Sequence, residues 1–182
     1  MKNHPPQPFR LLALALSSKG LGFAVLEGRA TLADWGNKLV TGDKNAGALK
    51  KVSELIAHYE PDMLVLPATN TPGSRRSARI RKLGEALVTL AATHKLKTRL
   101  LTREQLMREF ITGDQERTKH ALAECLAGRY PEELGDRLPP KRRPWKSEDY
   151  RMDIFEAVAL ALACRLRQDR RRKPGPTKQR GA

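Results

Sequence analysis

Three acidic residues towards the end of the sequence have a spacing that could bind a metal ion. Asp149, Asp153 and Glu156 follow one another at one-turn intervals, so a helix would bring their carboxylates to one face. Mg²⁺ and Mn²⁺ prefer such oxygen ligands, and Asp153 with Glu156 could hold one ion that keeps several waters. The alternative is that the acids occupy the first turns of a helix, where its dipole favours negative charge. Three acids on one helix cannot surround two metal ions, so the motif predicts one weak metal site at most.

A basic cluster surrounds the predicted start of another helix. Its members are Arg75, Arg76, Arg79, Arg81 and Lys82. The free N–H groups and the dipole of a helix N-terminus attract an anion, and the stretch 73–82 contains no acidic residue that would neutralise the cations. We expect these side chains to bind phosphate, and the alternative is an ordinary solvated surface.

A second basic cluster, at residues 141–146, combines cations with one tryptophan. It contains Lys141, Arg142, Arg143 and Trp145. An aromatic ring among cations is typical of platforms on which exposed bases stack. The alternative is that Trp145 packs beneath its own loop. The basic segment after Leu166 forms a third group, for which we expect sequence-independent electrostatic contact.

The composition favours a polyanionic partner. The 182 residues include 35 Lys and Arg against 20 Asp and Glu, a formal net charge of +15, which indicates nucleic acid. No apolar run approaches the roughly 20 residues needed to span a bilayer, so we expect no membrane partner. The two cysteines, Cys125 and Cys164, stand in apolar, helical contexts, which predicts two buried, reduced thiols and a cytoplasmic protein.

The sequence divides into one domain and two tails. Residues 1–9 contain three prolines and are expected to form a flexible leader. Residues 10–167 carry the apolar periodicity of a folded domain, and residues 168–182 are expected to form a disordered basic tail.

Within the domain, the apolar pattern changes from strands to helices. Three strands joined by short turns come first and predict an antiparallel meander. Two amphipathic helices, at 45–59 and 79–94, each lead into a short strand, which should lie parallel to its partner because the connection is a crossover. The capping box Thr102–Gln105 opens a further helix, another covers 114–127, and Ser147 is predicted to cap a long final helix.

Four stretches in this order resemble the Holliday-junction resolvase RuvC and its relatives, which have the RNase H-like fold. They are the hairpin Leu11–Leu26 with Gly22-Phe-Ala-Val, the strand Pro61–Leu66, Lys119 on a helix, and Asp153–Ala161 at the start of the last helix. The resemblance covers residues 10–166. It implies an α/β protein whose five-stranded mixed sheet, β-β-β-α-β-α-β, is flanked by helices, with Lys119 near the active site.

The same resemblance implies a degenerate active site. RuvC-like nucleases hydrolyse phosphodiesters with two metal ions, held by an Asp on the first strand, a Glu at the end of the fourth and two acids of the last helix. Aligned on Gly22, Ala15 stands at the first of these positions, and aligned on Pro61, Pro67 stands at the second. Neither side chain can bind a divalent cation, so the acids of the last helix alone remain.

We therefore expect a nucleic-acid-binding protein with a RuvC-like fold that has lost two-metal cleavage. We expect it to bind structured DNA rather than RNA, and to form the homodimer implied by the resemblance. This interpretation requires no cofactor, although Mg²⁺ or Mn²⁺ could bind. One alternative is an active metal-dependent endonuclease, in which Asp62 or Asp34 joins the acids of the last helix. The others are an RNA- or ribosome-associated factor similar to the YqgF-type relatives of RuvC, and a non-catalytic protein-interaction scaffold.

Overall fold

The computed structural model describes residues 7–172. Its strands are β1 (Arg10–Leu16), β2 (Gly20–Glu27), β3 (Thr31–Leu39), β4 (Met63–Pro67) and β5 (Lys97–Leu101). Its helices are α1 (Lys44–Tyr59), α2 (Ala78–Thr93), α3 (Arg103–Phe110), α4 (Lys119–Arg129), α5 (Pro131–Leu134) and α6 (Met152–Arg172), with a 3₁₀ turn at Gly135–Arg137.

One mixed sheet organises the domain, with the strand order β3-β2-β1-β4-β5. The first three strands pair antiparallel as a meander. β4 lies parallel to β1, and β5 lies parallel to β4. The predicted five-stranded α/β fold is thereby confirmed, as are the crossover connections through α1 and α2.

The two faces of the sheet bury different kinds of side chain. Successive residues of a strand point to opposite faces, so Leu12, Leu14 and Leu16 of β1 pack with α1 and α2. The alternate residues, which include Ala13 and Ala15, pack with α3, α4 and α6. The bulky face packs against two helices, whereas the small residues of the other face let α6 approach the sheet closely.

Gly22 of β2 marks the closest approach of α6 to the sheet. It pairs with Ala15 across the β1–β2 ladder. A Cβ atom at Gly22 would lie 2.3 Å from the backbone carbonyl oxygen of Asp153, so no side chain larger than hydrogen fits there. The first turn of α6 is therefore positioned directly over the carboxyl end of β1.

The final helix differs from the sequence prediction at both ends. It begins at Met152 rather than after Ser147, because the Asp149 carboxylate accepts a hydrogen bond from the Arg151 backbone N–H, a local turn that competes with helical pairing. It continues to Arg172, so residues 168–172 of the predicted tail are helical. Arg167 and Arg170 both pair with the nearly buried carboxylate of Glu109 on α3, which stabilises this end without an apolar stripe. The predicted leader residues 1–6 and tail residues 173–182 lie outside the described part of the chain.

The cysteines differ from each other in exposure. Cys164 is buried in α6, as predicted, whereas Cys125 is exposed on α4, and neither forms a disulfide. The prediction for Cys125 was wrong because α4 buries a different stripe, which includes Leu122 and Leu126. None of the helices between residues 7 and 172 combines the length and apolar composition that crossing a bilayer requires.

Substitution of Gly22 tests the close approach of α6. We expect Gly22→Ala to lower the free energy of unfolding by about 1–3 kcal/mol, because the added methyl group overlaps the Asp153 backbone. Gly128→Ala, in α4, is the matched control, since a Cβ atom there meets nothing within 4 Å; it should be neutral or slightly stabilising. Urea denaturation measures both changes, and equal stabilities for the two variants would contradict the packing described.

Candidate nucleic-acid interface

The carboxyl ends of β1 and β4 meet the first turns of α6 at one end of the sheet. Asp153 and Glu156 lie one turn apart in α6 and are only partly exposed. The segment between β4 and α2 and the start of α4 bring cations to the same place. The structure therefore collects acids and bases that lie far apart in the sequence.

Glu156 is held by two cations. The Arg76 Nη2 atom lies 2.8 Å from Glu156 Oε1, and the Lys119 Nζ atom lies 3.8 Å from Oε2. Arg76 also donates from Nη1 to the backbone carbonyl of Leu16, at the end of β1, over 2.7 Å. The Glu156 side chain is 15% exposed, so this is a partly buried ion pair with little screening by solvent.

No cation among residues 7–172 lies in such direct contact with Asp153. Burial, together with the negative charges of Glu156 and Glu148, raises the pKa of its carboxyl to about 6. A hydrogen bond with the Ser17 side chain and the charge of Lys119 oppose this shift. Near neutral pH the site therefore holds a carboxyl group that can exchange a proton.

Lys119 lies beside the acids of α6 and of the loop before it. It is the first residue of α4, whose N-terminus is capped by the side chain of Thr118. Its Nζ atom lies 2.9 Å from Glu148 Oε2 as well as near Glu156. Lys119 thus connects the loop before α6 with α6 itself.

The sequence predicts Asp149 on the same helix face as Asp153 and Glu156. In the structure, Asp149 lies before the start of α6. Its carboxylate accepts hydrogen bonds from Arg151 Nε at 3.0 Å and Nη2 at 2.7 Å, and from the Arg151 backbone N–H at 2.9 Å. The side-chain hydrogen bond with Arg151 holds the pKa of Asp149 below its usual value. Asp149 is therefore engaged locally and does not join the other two acids.

The two further acids considered for a rearranged metal site are also engaged elsewhere. Asp62 accepts a hydrogen bond from the backbone N–H of Arg10, at the opposite end of β1. Asp34 accepts one from the hydroxyl of Tyr59, which belongs to α1 on the other face of the sheet. Neither carboxylate can reach α6 in this fold.

The residues at this end of the sheet do not fit the two-metal centre that the fold family implies. Ala15 is fully buried with its methyl group towards α6, and Pro67 ends β4. Between residues 7 and 172 no group of three His, Cys, Asp or Glu side chains could hold a metal ion. The Arg76 guanidinium already donates to one oxygen of Glu156, so a metal ion would compete with it for this carboxylate.

The predicted phosphate-binding residues at the start of α2 divide into two sets. Arg76 is engaged with Glu156, Arg79 donates to the Ser17 carbonyl over 3.2 Å, and Arg81 donates to the Arg76 carbonyl over 3.0 Å. Arg75 and Lys82 are exposed. Three of the five cations thus stabilise the carboxyl end of β1 and its connections, and the other two face solvent.

Two adjoining clefts open beside the Glu156 ion pairs. The larger cleft, of about 970 Å³, runs between the start of α4 and the loop before α6 and includes Lys141, Arg142 and Arg143. The smaller, of about 540 Å³, lies between the β4–α2 segment, α3 and α6, and includes Arg75 and Arg76. Lys119, Arg103 and Met152 border both clefts, so the two predicted basic clusters meet across Lys119.

Trp145 is 75% exposed and does not pack beneath its loop. The Arg143 guanidinium lies 5.9 Å from the centre of its ring, within the range of a cation–π contact. The exposed ring is consistent with the predicted stacking platform, although it is not among the residues that line the larger cleft.

Four further cations of the larger cleft received no individual role from the sequence. They are Lys19, Arg103, Arg117 and Lys146. Lys19 occupies the β1–β2 turn, and Arg103 begins α3 two residues after the carboxyl end of β5. Both positions lie at the end of the sheet where Asp153 and Glu156 are found, and that topological signal could have identified them.

Comparison of the structure with solved structures identifies the fold. Thermus thermophilus RuvC superposes with a TM-score of 0.63 at 15% sequence identity, over 88% of this chain and 96% of that one. T. thermophilus RuvC in complex with a Holliday junction substrate gives 0.61 at 16% identity, with the same shares covered. The yeast mitochondrial Holliday junction resolvase gives 0.59 at 12% identity, over 93% and 85%. No protein-family model matches the sequence, and no curated protein is detectably similar to it. The RuvC-like RNase H-like fold predicted from the sequence is thereby confirmed.

The raised pKa of Asp153 predicts a pH-dependent stability. The folded chain retains this proton up to about pH 6, whereas the unfolded chain releases it near 3.8, so ionising Asp153 costs stability as the pH rises between those values. Asp153→Asn should remove this cost and stabilise the protein by about 1–3 kcal/mol at pH 7, with little effect at pH 4. If the free energy of unfolding changed with pH in the same way for both proteins between pH 4 and pH 7, the raised pKa of Asp153 would be contradicted.

A double-mutant cycle on Arg76→Met and Glu156→Gln tests the central ion pair. We expect a coupling of about 1–3 kcal/mol in urea unfolding, because each single variant leaves a partly buried charged group without its partner. The exposed pair of Glu104 and Arg108, both in α3, is the matched control and should couple by about 0.5 kcal/mol or less. Additive effects at Arg76 and Glu156 would mean that the pair does not form in solution.

Proposed function

We propose that this protein binds structured nucleic acid through the two clefts and does so without divalent metal ions. The observation that carries the proposal is the set of exposed cations that surround the Arg76–Glu156 ion pair. Binding rather than cleavage follows, because Glu156 is paired with Arg76 and Lys119, Asp149 is paired with Arg151, and Asp153 alone cannot hold two metal ions.

Eight cations of the clefts are exposed and have no carboxylate within ion-pair distance among residues 7–172. They are Lys19, Arg75, Arg103, Arg117, Lys141, Arg142, Arg143 and Lys146. The two acids of the larger cleft, Glu148 and Asp149, are paired with Lys119 and Arg151. The clefts therefore present uncompensated positive charge to a phosphate backbone.

Loss of two-metal hydrolysis is supported by the donor set. Two-metal sites need several carboxylates that bridge ions about 3.5–4 Å apart. Ala15 and Pro67 supply none, and Glu156 is neutralised by Arg76 and Lys119. An endonuclease with rearranged carboxylates is the less favoured candidate, since Asp149, Asp62 and Asp34 are each engaged elsewhere.

The preference for DNA over RNA rests on the likeness in fold. One neighbouring structure holds a Holliday junction, and a branched DNA is the substrate class that this likeness favours. The basic clefts themselves would suit structured RNA equally well. A homodimer and a cytoplasmic location belong to the same proposal as expectations from the sequence.

Gel retardation on a substrate panel tests the proposal. The panel holds a four-way DNA junction, a linear duplex, single-stranded DNA and structured RNA, each incubated with Mn²⁺ or with EDTA. We expect the junction to be retarded most strongly, equally in both conditions, and to remain intact on denaturing gels. Cleavage that disappears in Asp153→Asn would contradict the proposal, as would the absence of retardation in every lane. Preferential retardation of the structured RNA would mean that RNA, rather than DNA, is the partner.

The salt dependence of binding tests the individual cations. Arg103→Ala and Arg142→Ala should each reduce the slope of log affinity against log salt concentration by about 1, because each removes about one phosphate contact. Lys50→Ala is the matched control, since Lys50 is exposed on α1, on the opposite face of the sheet from α6. An unchanged slope in both cleft variants would mean that the phosphate backbone lies elsewhere.

A further inference from the structure

The smaller cleft has an apolar interior, unlike the larger one. Its apolar lining comes from Leu101, Leu106, Met107, Leu122, Met152 and Phe155, which belong to β5, α3, α4 and α6. Its volume of about 540 Å³ lies within the roughly 300–1,000 Å³ of pockets that enclose small organic groups. A phosphate backbone has no use for such a surface, so positive charge alone does not account for this cleft.

The rim of the smaller cleft carries the charge that its interior lacks. Arg75, Arg103 and Lys119 border it, and the first two are exposed without a carboxylate in ion-pair distance among residues 7–172. The one acid on its wall, Glu156, is paired with Arg76 and Lys119. The cleft thus combines an apolar interior with a cationic rim, which is complementary to a flat, weakly polar ring attached to a phosphate.

We propose that the smaller cleft receives one unstacked nucleobase from a nucleic-acid strand whose phosphates lie on the cationic rim. This inference rests on the function proposed above and specifies its substrate as nucleic acid with an unpaired nucleotide. The base lies against the side chains of Met107, Met152 and Leu122, and its flanking phosphates contact Arg75 and Arg103. Methionine side chains adapt to rings of different shape, so the cleft accepts any of the four bases.

The geometry favours strands in which a base is already free. A paired base would have to leave its stack, which costs free energy, whereas a base at a bulge or a branch point needs little or no such work. The cleft therefore distinguishes branched or bulged nucleic acid from an intact duplex without reading sequence.

Three duplexes that differ at one position test the inference. One is fully paired, the second carries a single extra 2-aminopurine nucleotide, and the third carries an abasic nucleotide in its place. We expect the 2-aminopurine bulge to bind at least about tenfold more tightly than the abasic bulge, because only the former has a ring to bury. Its fluorescence should change on binding, because the ring moves into the apolar interior of the smaller cleft.

Blocking the cleft should remove this difference. Ala68 lines the smaller cleft and is partly exposed, so Ala68→Phe fills the cleft without hollowing the core. We expect Ala68→Phe to bind both bulged duplexes with equal affinity. Ala92→Phe, at an exposed position near the far end of α2, is the control and should keep the difference. The unfolding midpoints of both variants report whether they remain folded.

The possible failures of the two proposals are distinguishable. Equal binding of the 2-aminopurine and abasic bulges by the unaltered protein overturns the base pocket, while the basic clefts keep their proposed role. No binding of any duplex overturns both proposals. Displacement of the bulged duplex by nucleoside monophosphates at equal concentration would mean that the cleft serves free nucleotides, and would overturn the inference.

Discussion

The Arg76 guanidinium joins three parts of the chain that are distant in sequence. It donates to the Leu16 carbonyl at the end of β1 and to the Glu156 carboxylate on α6, and it belongs to the segment between β4 and α2. A partly buried carboxylate needs a compensating charge, since desolvation of an unpaired ion is costly. In a metal-dependent relative of this fold that charge would come from metal ions, and here it is part of the protein. The clefts are therefore positively charged, because Glu148, Asp149 and Glu156 are paired with cations of the chain, whereas the exposed cations around them have no carboxylate partner among residues 7–172.

The close packing of α6 on the sheet also works against a metal site at the end of β1. Ala15 and Gly22 pair across the first hairpin, and their small size brings the backbone of Asp153 onto β2. Burial at this point raises the pKa of Asp153 to about 6, so the folded chain favours the protonated acid below that pH. The residues that let the helix approach are also those that leave the end of β1 without a carboxylate.

Local sequence patterns predicted the strands, helices and crossover connections of this protein. The candidate site depends instead on pairs of residues that are distant in sequence. The apolar run of β1, the capping box at Thr102 and the crossover helices are determined by neighbouring residues, and each was confirmed. The Arg76–Glu156 pair joins residues 80 positions apart, so no local pattern indicates it. Asp149 was misplaced because its spacing suits a helix, whereas its carboxylate binds Arg151 two residues later. The helical end of α6 was missed because ion pairs with Glu109 replace the expected apolar contacts.

The central claim is that the chain's own cations replace metal ions at the carboxyl end of the sheet. Titration of Mn²⁺ into the unaltered protein, followed by the electron paramagnetic resonance signal of free Mn²⁺, tests it most directly. The account predicts that the free signal grows with added Mn²⁺ as it does in buffer, at pH values on both sides of 6. Uptake of one or two Mn²⁺ ions per chain, lost in Asp153→Asn, would contradict the account.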